Sequence, residues 1–293
     1  MTKFENVNTR IKDALAEDGA FHDVTTRQIP GFKTQKVAAR IIAKEAGVYC
    51  GGVLLLPVFR QLDPQVKVVQ KVKEGAKVKA GTTVALLKGN PRALLGGERV
   101  FLNLASRLSG IATATWAFVN QSKGSQVTIC DTRKTLPLWR DLDRYAVRCG
   151  GGKNHRDSLK EAILIKDNHL ALLRKNKETL FRVYGNIIRD PRKRKKLQFV
   201  ELEAQSYKDV WEGIKIRADI IMLDNMSLDQ IKGSIELIKA ARRALNSPEP
   251  LIEVSGDMTL DKMKRLVKLG VDRISVGAIT HSAPSLDLSL EVV

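Results

Sequence analysis

The stretch DIIMLDNMSLDQIKGSIELIKAARRALNSPEPLIEVSGD, Asp219–Asp257, decides the fold. It opens on an aliphatic run, DIIML (Asp219–Leu223), that stops at Asp-Asn. SLDQIKGSIELIKAARRAL (Ser227–Leu245) then carries apolar residues at helical spacing. A second aliphatic run, LIEV (Leu251–Val254), stops at Ser-Gly-Asp. Strand, helix and strand in this order imply two parallel strands joined by a right-handed crossover.

The unit recurs on both sides. Upstream, QVTIC (Gln126–Cys130) runs into DTRK, EAILI (Glu161–Ile165) into KDNH, and LQFVELE (Leu197–Glu203) ends in glutamates. Downstream, RISV (Arg273–Val276) runs into GAITHS. Between the last two strands, TLDKMKRLVKLG (Thr259–Gly270) has a Thr N-cap and a Gly stop. Every strand thus ends in charged residues, Ser-Gly or Gly. In a β/α barrel these C-terminal ends converge on one mouth, where chemistry takes place. An open doubly wound sheet competes, but no GxGxxG follows a strand and opens a helix.

The first third reads differently. VKVVQKV (Val66–Val72) alternates in part, EGAKVKAG (Glu74–Gly81) is rich in turns, and TTVALLKG (Thr82–Gly89) reads as another strand, which predicts a small antiparallel or mixed sheet. ERVFLNLASRLSGI (Glu98–Ile111) has helical periodicity with a glycine near its end.

Composition bounds the function. The chain has 293 residues, 43% hydrophobic and 28% charged, enough for one large or two modest buried cores. Fifty Lys and Arg against thirty-two Asp and Glu give +18, which predicts anionic partners without naming them. No run of 18 apolar residues or secretory h-region is present, so no membrane partner is expected and the cytoplasm is the default location. Three scattered cysteines exclude a disulfide framework, and four histidines never fall at zinc-site spacing. RDPRKRKK (Arg189–Lys196) reads as a solvated face; a nucleic-acid patch lacks interleaved aromatics.

DTRKTLPLWRDLDRYAVRCGGGKNHR (Asp131–Arg156) is the densest chemistry. It holds seven Lys or Arg and three Asp. Leu138, Leu142 and Tyr145 or Ala146 predict a helix over 138–148 with one face packed inward. Arg133 and Lys134 directly follow a strand. The Gly150–Gly152 run is expected to bring backbone N–H groups onto an anion, with His155 and Arg156 beyond it. Cationic clusters at both ends of one helix suit a ligand with several negative groups. Lys166, the first residue after EAILI, is expected in the barrel mouth. Glu203 and Asp224 end successive strands and are placed to hold Mg²⁺ or ligand hydroxyls; pairing with Lys134 or Lys166 is the competing reading. Glu201 shares the parity of Glu203, so spacing alone leaves the choice open. Ser255, Gly256 and Gly277 follow the last two strands, where β/α barrels often hold a phosphate.

DTRKTLP, YAVRCGGGKNHR, IKDNH, MLDNM, EVSGDMT and SVGAITHSAP stand in the order of the quinolinate phosphoribosyltransferase family, and the chain resembles that family over nearly its whole length. The resemblance begins at AEDGAFHDVTT (Ala16–Thr26) and includes GERVFLNLASRLSGIATAT (Gly97–Thr115). It implies an N-terminal α/β sandwich domain over 1–113, completed by tail 282–293. An open, type II phosphoribosyltransferase-like β/α barrel over 114–281 would be the catalytic domain.

It further implies transfer of phosphoribosyl from phosphoribosyl pyrophosphate to quinolinate, with Mg²⁺ and loss of CO₂, giving nicotinate mononucleotide for NAD synthesis. A homodimer is implied in which Arg99 reaches the partner's site. Arg133, His155, Arg156 and Lys166 would grip the quinolinate carboxylates, helped by Arg99. Lys134 would meet the ribosyl or pyrophosphate end of the donor. Glu203 and Asp224 would hold the metal or ribose hydroxyls. Ser255, Gly256, Gly277 and His281 would bind the 5-phosphate. The chain departs from the family pattern in carrying Asp257 where a second glycine is usual, in lacking the glycine common after DTRKTLP, and in the length and basicity of Ala171–Lys196. The competing functions are a molybdenum-transport-associated homologue of the same fold and a basic nucleic-acid-binding barrel; the intact NHR and IKDNH motifs argue against the first.

Overall fold

The structure is a computed structural model that describes Phe4, residues 6–32 and residues 35–293; Met1–Lys3, Glu5, Lys33 and Thr34 lie outside the described residues. The chain divides into two units. Residues up to Ala117, Thr135–Gly152 and Ile279–Val293 form the first, and Phe118–Lys134 with Lys153–Ala278 the second. Residues 135–152, which the sequence reading kept with the barrel, fall in the first unit.

The first unit contains β1 (Val37–Ala43), β2 (Gly47–Val48), β3 (Lys67–Gln70), β4 (Lys77–Val78) and β5 (Thr83–Gly89). The second contains β6 (Thr128–Cys130), β7 (Ile163–Ile165), β8 (Val200–Ala204), β9 (Ile220–Asp224), β10 (Leu251–Ser255) and β11 (Arg273–Ser275). The tail then returns to the first unit as β12 (Leu288–Val292).

The first sheet has the order β12-β1-β5-β3 and is antiparallel throughout, with β2 and β4 a separate antiparallel pair. Alternation along β1 and β5 buries Ala39, Ile41, Ala85 and Leu87. Helix Pro91–Gln121 extends well beyond the 98–111 read from periodicity. Its glycines do not stop it because they mark close approaches. A Cβ at Gly97 would lie 2.9 Å from the Phe59 ring, and one at Gly110 2.1 Å from the Pro284 carbonyl.

The second unit is one parallel sheet ordered β6-β11-β10-β9-β8-β7, an open β/α barrel whose edges are β6 and β7. All six strands read from the sequence are present. Helix Leu228–Leu245 starts at a capping box, Ser227 with Gln230, and Thr259 caps Leu260–Val267. Buried Ile, Leu and Val dominate the strands, each contributing about 1.5–3 kcal/mol of transfer free energy. Charged residues within the strands break that rule, among them Glu201 and Glu253 inside β8 and β10 and Arg273 at the start of β11. In the charged run, read as a solvated face, Lys193, Lys195 and Lys196 are exposed, while Arg194 is partly buried, donating to the Leu197 carbonyl and pairing with Asp219. The side chains of Arg189, Pro191 and Arg192 lie outside the described residues. Among the described residues, no helix is long and apolar enough to cross a membrane.

Candidate active site

Parallel register brings the strand ends to one edge: Asp224 stands beside Ser255 and Cys130 beside Ser275, while Ile165 stands beside Leu202, one residue before Glu203. Asp131, fully buried after β6, organises the loop that carries His155 and Arg156. Its carboxylate accepts from the His155 N–H (2.7 Å) and from Asn154 Nδ2 (2.6 Å). Lys153 extends the anchoring, donating its N–H to the Ile129 carbonyl (2.8 Å) and accepting from the Asp131 N–H (3.1 Å). The sequence shows Asp131 only as a charge after a strand; its anchoring role was missed.

Arg156 is almost fully buried, and its Nη1 donates to the Ala162 carbonyl (3.1 Å). Burial and then the neighbouring Arg133 charge hold its guanidinium below the usual range, while Glu201 opposes them. Arginines after a strand end suit carboxylate or phosphate groups. At Lys134, the backbone N–H donates to Thr132 Oγ1 (3.1 Å).

His155 faces inward. Its Nδ1 accepts from the Arg156 N–H (2.8 Å), and its Nε2 lies 3.0 Å from Glu201 Oε2 and 3.4 Å from Glu253 Oε1. Burial opposes its charge, but hydrogen bonds with Glu201 and Glu253 outweigh burial and raise the imidazole to about 9. Glu253 also meets Arg273 Nε (2.8 Å) and accepts from Ser275. Burial pushes Glu201 up to about 7, with the Glu253 charge adding to it. Burial works against Glu253 too, but His155, Arg273 and Ser275 bring it below its usual value. Charged residues inside parallel strands were the available signal for this cluster, and the sequence reading did not use it.

Lys166 and Glu203 do meet: Nζ donates to Oε2 at 3.2 Å, with the Lys166 side chain about half exposed and Glu203 nearly buried. Burial raises the Glu203 carboxyl; Lys166 lowers it, and the charges of Asp224 and Asp167 raise it again. The lysine pairing anticipated as the competing reading therefore exists for Glu203. Beyond Asp224, Asn225 joins two strand ends: its Nδ2 donates to Asp224 Oδ2 (2.8 Å), its N–H to the Ser255 carbonyl (3.3 Å), and its Oδ1 accepts from the Asp257 N–H (3.3 Å). Gly256 sits against it with φ 115, where a Cβ would lie 2.3 Å from Asn225 Oδ1. Asp257 at the next position fits because only its backbone joins this contact.

The second unit thus carries Arg133, Lys134, His155, Arg156, Lys166, Glu203, Asp224, Ser255, Gly256 and Gly277. Arg99 and His281 belong to the first unit. There Arg99 is exposed on helix Pro91–Gln121 and lines a groove with Arg10, Asn103 and Trp139. His281 Nδ1 lies 2.5 Å from Ser282 Oγ.

Two expectations are corrected. The Gly150–Gly152 run is not an anion cradle. Its N–H groups donate to the carbonyls of Ala146, Arg148 and Val147, closing helix Arg140–Cys149. A Cβ at Gly150 would lie 2.4 Å from the Ala112 carbonyl, so the residue is small for packing. Leu138 is exposed with φ 65, and the helix starts after it. Buried Asp143 faces inward on that helix, accepting from Arg107 Nε (3.0 Å) and Nη2 (2.8 Å).

Comparison with known proteins is consistent over the whole chain. Residues 23–109 match the family model for the N-terminal domain of quinolinate phosphoribosyl transferase, and residues 111–291 that for its C-terminal domain. The probable nicotinate-nucleotide pyrophosphorylase [carboxylating] of Bacillus subtilis is 38% identical, covering 94% of this chain and 90% of that protein. Its counterpart in Mycobacterium leprae is 34% identical, covering 99% and 98%. The structure of the nicotinate-nucleotide pyrophosphorylase from Francisella tularensis superposes with a TM-score of 0.85 at 33% identity, covering 99% of this chain and 98% of that one. None of these names carries the molybdenum-transport or nucleic-acid-binding readings.

Proposed function

The chain belongs to the quinolinate phosphoribosyltransferase family and transfers phosphoribosyl from phosphoribosyl pyrophosphate to quinolinate, and we propose how its residues divide that work. Pyrophosphate and CO₂ leave, and nicotinate mononucleotide goes to NAD synthesis.

The observation that carries the assignment is the match of both family domains and of the curated relatives over nearly the whole chain. Arg133 and Arg156 receive the two carboxylates of quinolinate and orient the dianion with its ring nitrogen toward the donor. Lys166 completes the cationic wall and stabilises charge on the ring as the 2-carboxylate departs. Lys134 meets the pyrophosphate, whose negative charge grows as the bond to ribose breaks. His155, with both ring nitrogens engaged by protein groups, acts by position: its Nε2 faces Glu201 and Glu253 while its Nδ1 accepts from the Arg156 N–H and so holds that backbone.

Ser255, Gly256 and Gly277 take the 5-phosphate. Glu203 and Asp224 hold Mg²⁺ or the ribose hydroxyls. Their oxygen donors, with Asp167 near enough to raise Glu203, suit a hard cation. When bound, Mg²⁺ neutralises pyrophosphate charge. The active assembly is a homodimer in which the partner's Arg99 joins the acceptor pocket; its exposure and groove position in the first unit support this.

The test is pyrophosphate release with phosphoribosyl pyrophosphate and Mg²⁺, with quinolinate or nicotinate as acceptor. Release with quinolinate, accompanied by nicotinate mononucleotide and CO₂, is expected, and none with nicotinate. Equal release with nicotinate would remove the two-carboxylate pocket from the account.

A further inference from the structure

The first unit holds a group of reactive side chains apart from this chemistry. Cys50 follows β2 and is fully buried. Its backbone is clamped by Ser109, whose Oγ accepts from the Cys50 N–H (2.9 Å) and donates to its carbonyl (2.9 Å). Cys149 is the last residue of helix Arg140–Cys149 and is partly exposed. The Glu74–Gly75 turn presses against it: a Cβ on Gly75 would lie 2.7 Å from the Cys149 carbonyl oxygen. Glu74 is fixed in turn, accepting from the Gly51 N–H (2.9 Å) and Gln70 Nε2 (3.3 Å). The two sulfurs and a Glu74 carboxylate oxygen lie within 4.8 Å of one another.

We propose that Cys149 and Cys50 form an oxidation site that takes a hydroperoxide as oxidant and closes to a reversible Cys50–Cys149 disulfide. In the first step the Cys149 sulfur attacks a peroxide oxygen. The O–O bond breaks, the leaving alkoxide, or hydroxide from hydrogen peroxide, takes up the proton released when the Cys149 thiol ionised and departs as alcohol or water, and Cys149 becomes a sulfenic acid. In the second step the Cys50 sulfur attacks the Cys149 sulfur. The S–O bond breaks, and the leaving hydroxide departs as water with the Cys50 proton. The dithiol loses two electrons and the peroxide gains them. A thiol reductant reverses the cross-link by exchange.

The surroundings give the two sulfurs different roles. A hydrogen bond from Cys50 lowers the Cys149 thiol against its partial burial and the Glu74 charge, helped by the Tyr145 hydroxyl and the Arg148 charge. Thiolate is the attacking form, so Cys149 is the peroxide-reactive sulfur. Burial, reinforced by Cys149 and Glu74, pushes Cys50 well up and keeps it protonated until it resolves the sulfenic acid. The neighbouring Glu74 carboxylate accepts that proton and passes it to the leaving hydroxide. The third cysteine is an internal control: burial pushes Cys130, at the end of β6, up to about 12 even with Arg273 Nη2 3.5 Å away.

The experiment treats the reduced full-length protein with one equivalent of hydrogen peroxide, then alkylates, digests and maps it. Expected are a Cys50–Cys149 linked peptide pair, a loss of two hydrogen masses per chain, and a fall from three titratable thiols to one, reversed by dithiothreitol. Cys149 should react roughly tenfold or more faster than Cys130. Cys50→Ser should stop at a Cys149 sulfenic acid that dimedone traps, and Cys149→Ser should give neither product. The wild-type map stands even where a variant folds poorly. Sulfinic acid on Cys149 without the linked pair, or Cys130 oxidised as fast as Cys149, overturns the proposal.

Discussion

Glu201 and Glu203 stand two residues apart on β8, on the same face of the strand, and differ in everything except residue type. Glu203 lies at the mouth, meets the half-exposed Lys166 at 3.2 Å and feels the charges of Asp224 and Asp167. Glu201 lies one pleat deeper, fully buried, with His155 at 3.0 Å and Glu253 near enough to raise it. Depth along one strand separates a carboxylate that can exchange partners with a substrate from one committed to the interior. Solvent at the mouth lets Lys166 leave Glu203 cheaply; inside, an abandoned charge has no water to turn to.

The largest effect should come from the mouth. Lys166→Ala is expected to lower kcat by about 10²–10³-fold with Tm nearly unchanged, since half-exposed pairs contribute little to folding. Steady-state pyrophosphate release beside a melting curve checks both halves; full turnover in the variant would remove Lys166 from the chemistry. The interior should respond in the opposite currency. Glu253→Gln leaves Arg273 and His155 facing a neutral group and should cost about 3–5 kcal/mol of stability, read from urea unfolding.

A third prediction uses pH. His155 is raised in the folded state to about 9. Its stabilising charge is therefore fully present below its unfolded value of 6.5 and is lost as pH rises through 9. Glu201, raised to about 7, acts in the same direction over the window from 4.5 to 7. Tm should fall as pH is raised from 6.5 to 9, and His155→Gln should flatten that fall; an unchanged slope would dissolve the inner cluster as described. The smallest effect belongs to Glu201→Gln. Burial already favours the protonated form of Glu201, so an uncharged isostere should cost only about 1 kcal/mol. A loss as large as that for Glu253→Gln would place the cluster's charge on the other carboxylate.

Much of this was legible in advance because it depends on local order. Runs such as DIIML and LIEV, each ending in polar residues, imply parallel strands with their chemistry at one end. The motifs from DTRK to SGD imply which ends matter. The GGG run misled because helix closure and anion binding ask for the same residue; only the carbonyls of Ala146, Val147 and Arg148 show which use the N–H groups serve.

What the amino-acid order determined by itself is therefore the alternation of strand and helix, the family, and the polar residues at each strand end. These follow from periodicity and chain direction, which every residue carries with it. Only the tertiary structure decided that His155 belongs to Glu201 and Glu253, that Asp131 anchors the loop before Arg156, and that Cys149 meets Cys50. Those partners come from distant strands and turns. Hydrogen bonds and charges act over a few ångströms of space whatever their separation in sequence, so the roles of these side chains were settled when the chain closed around them.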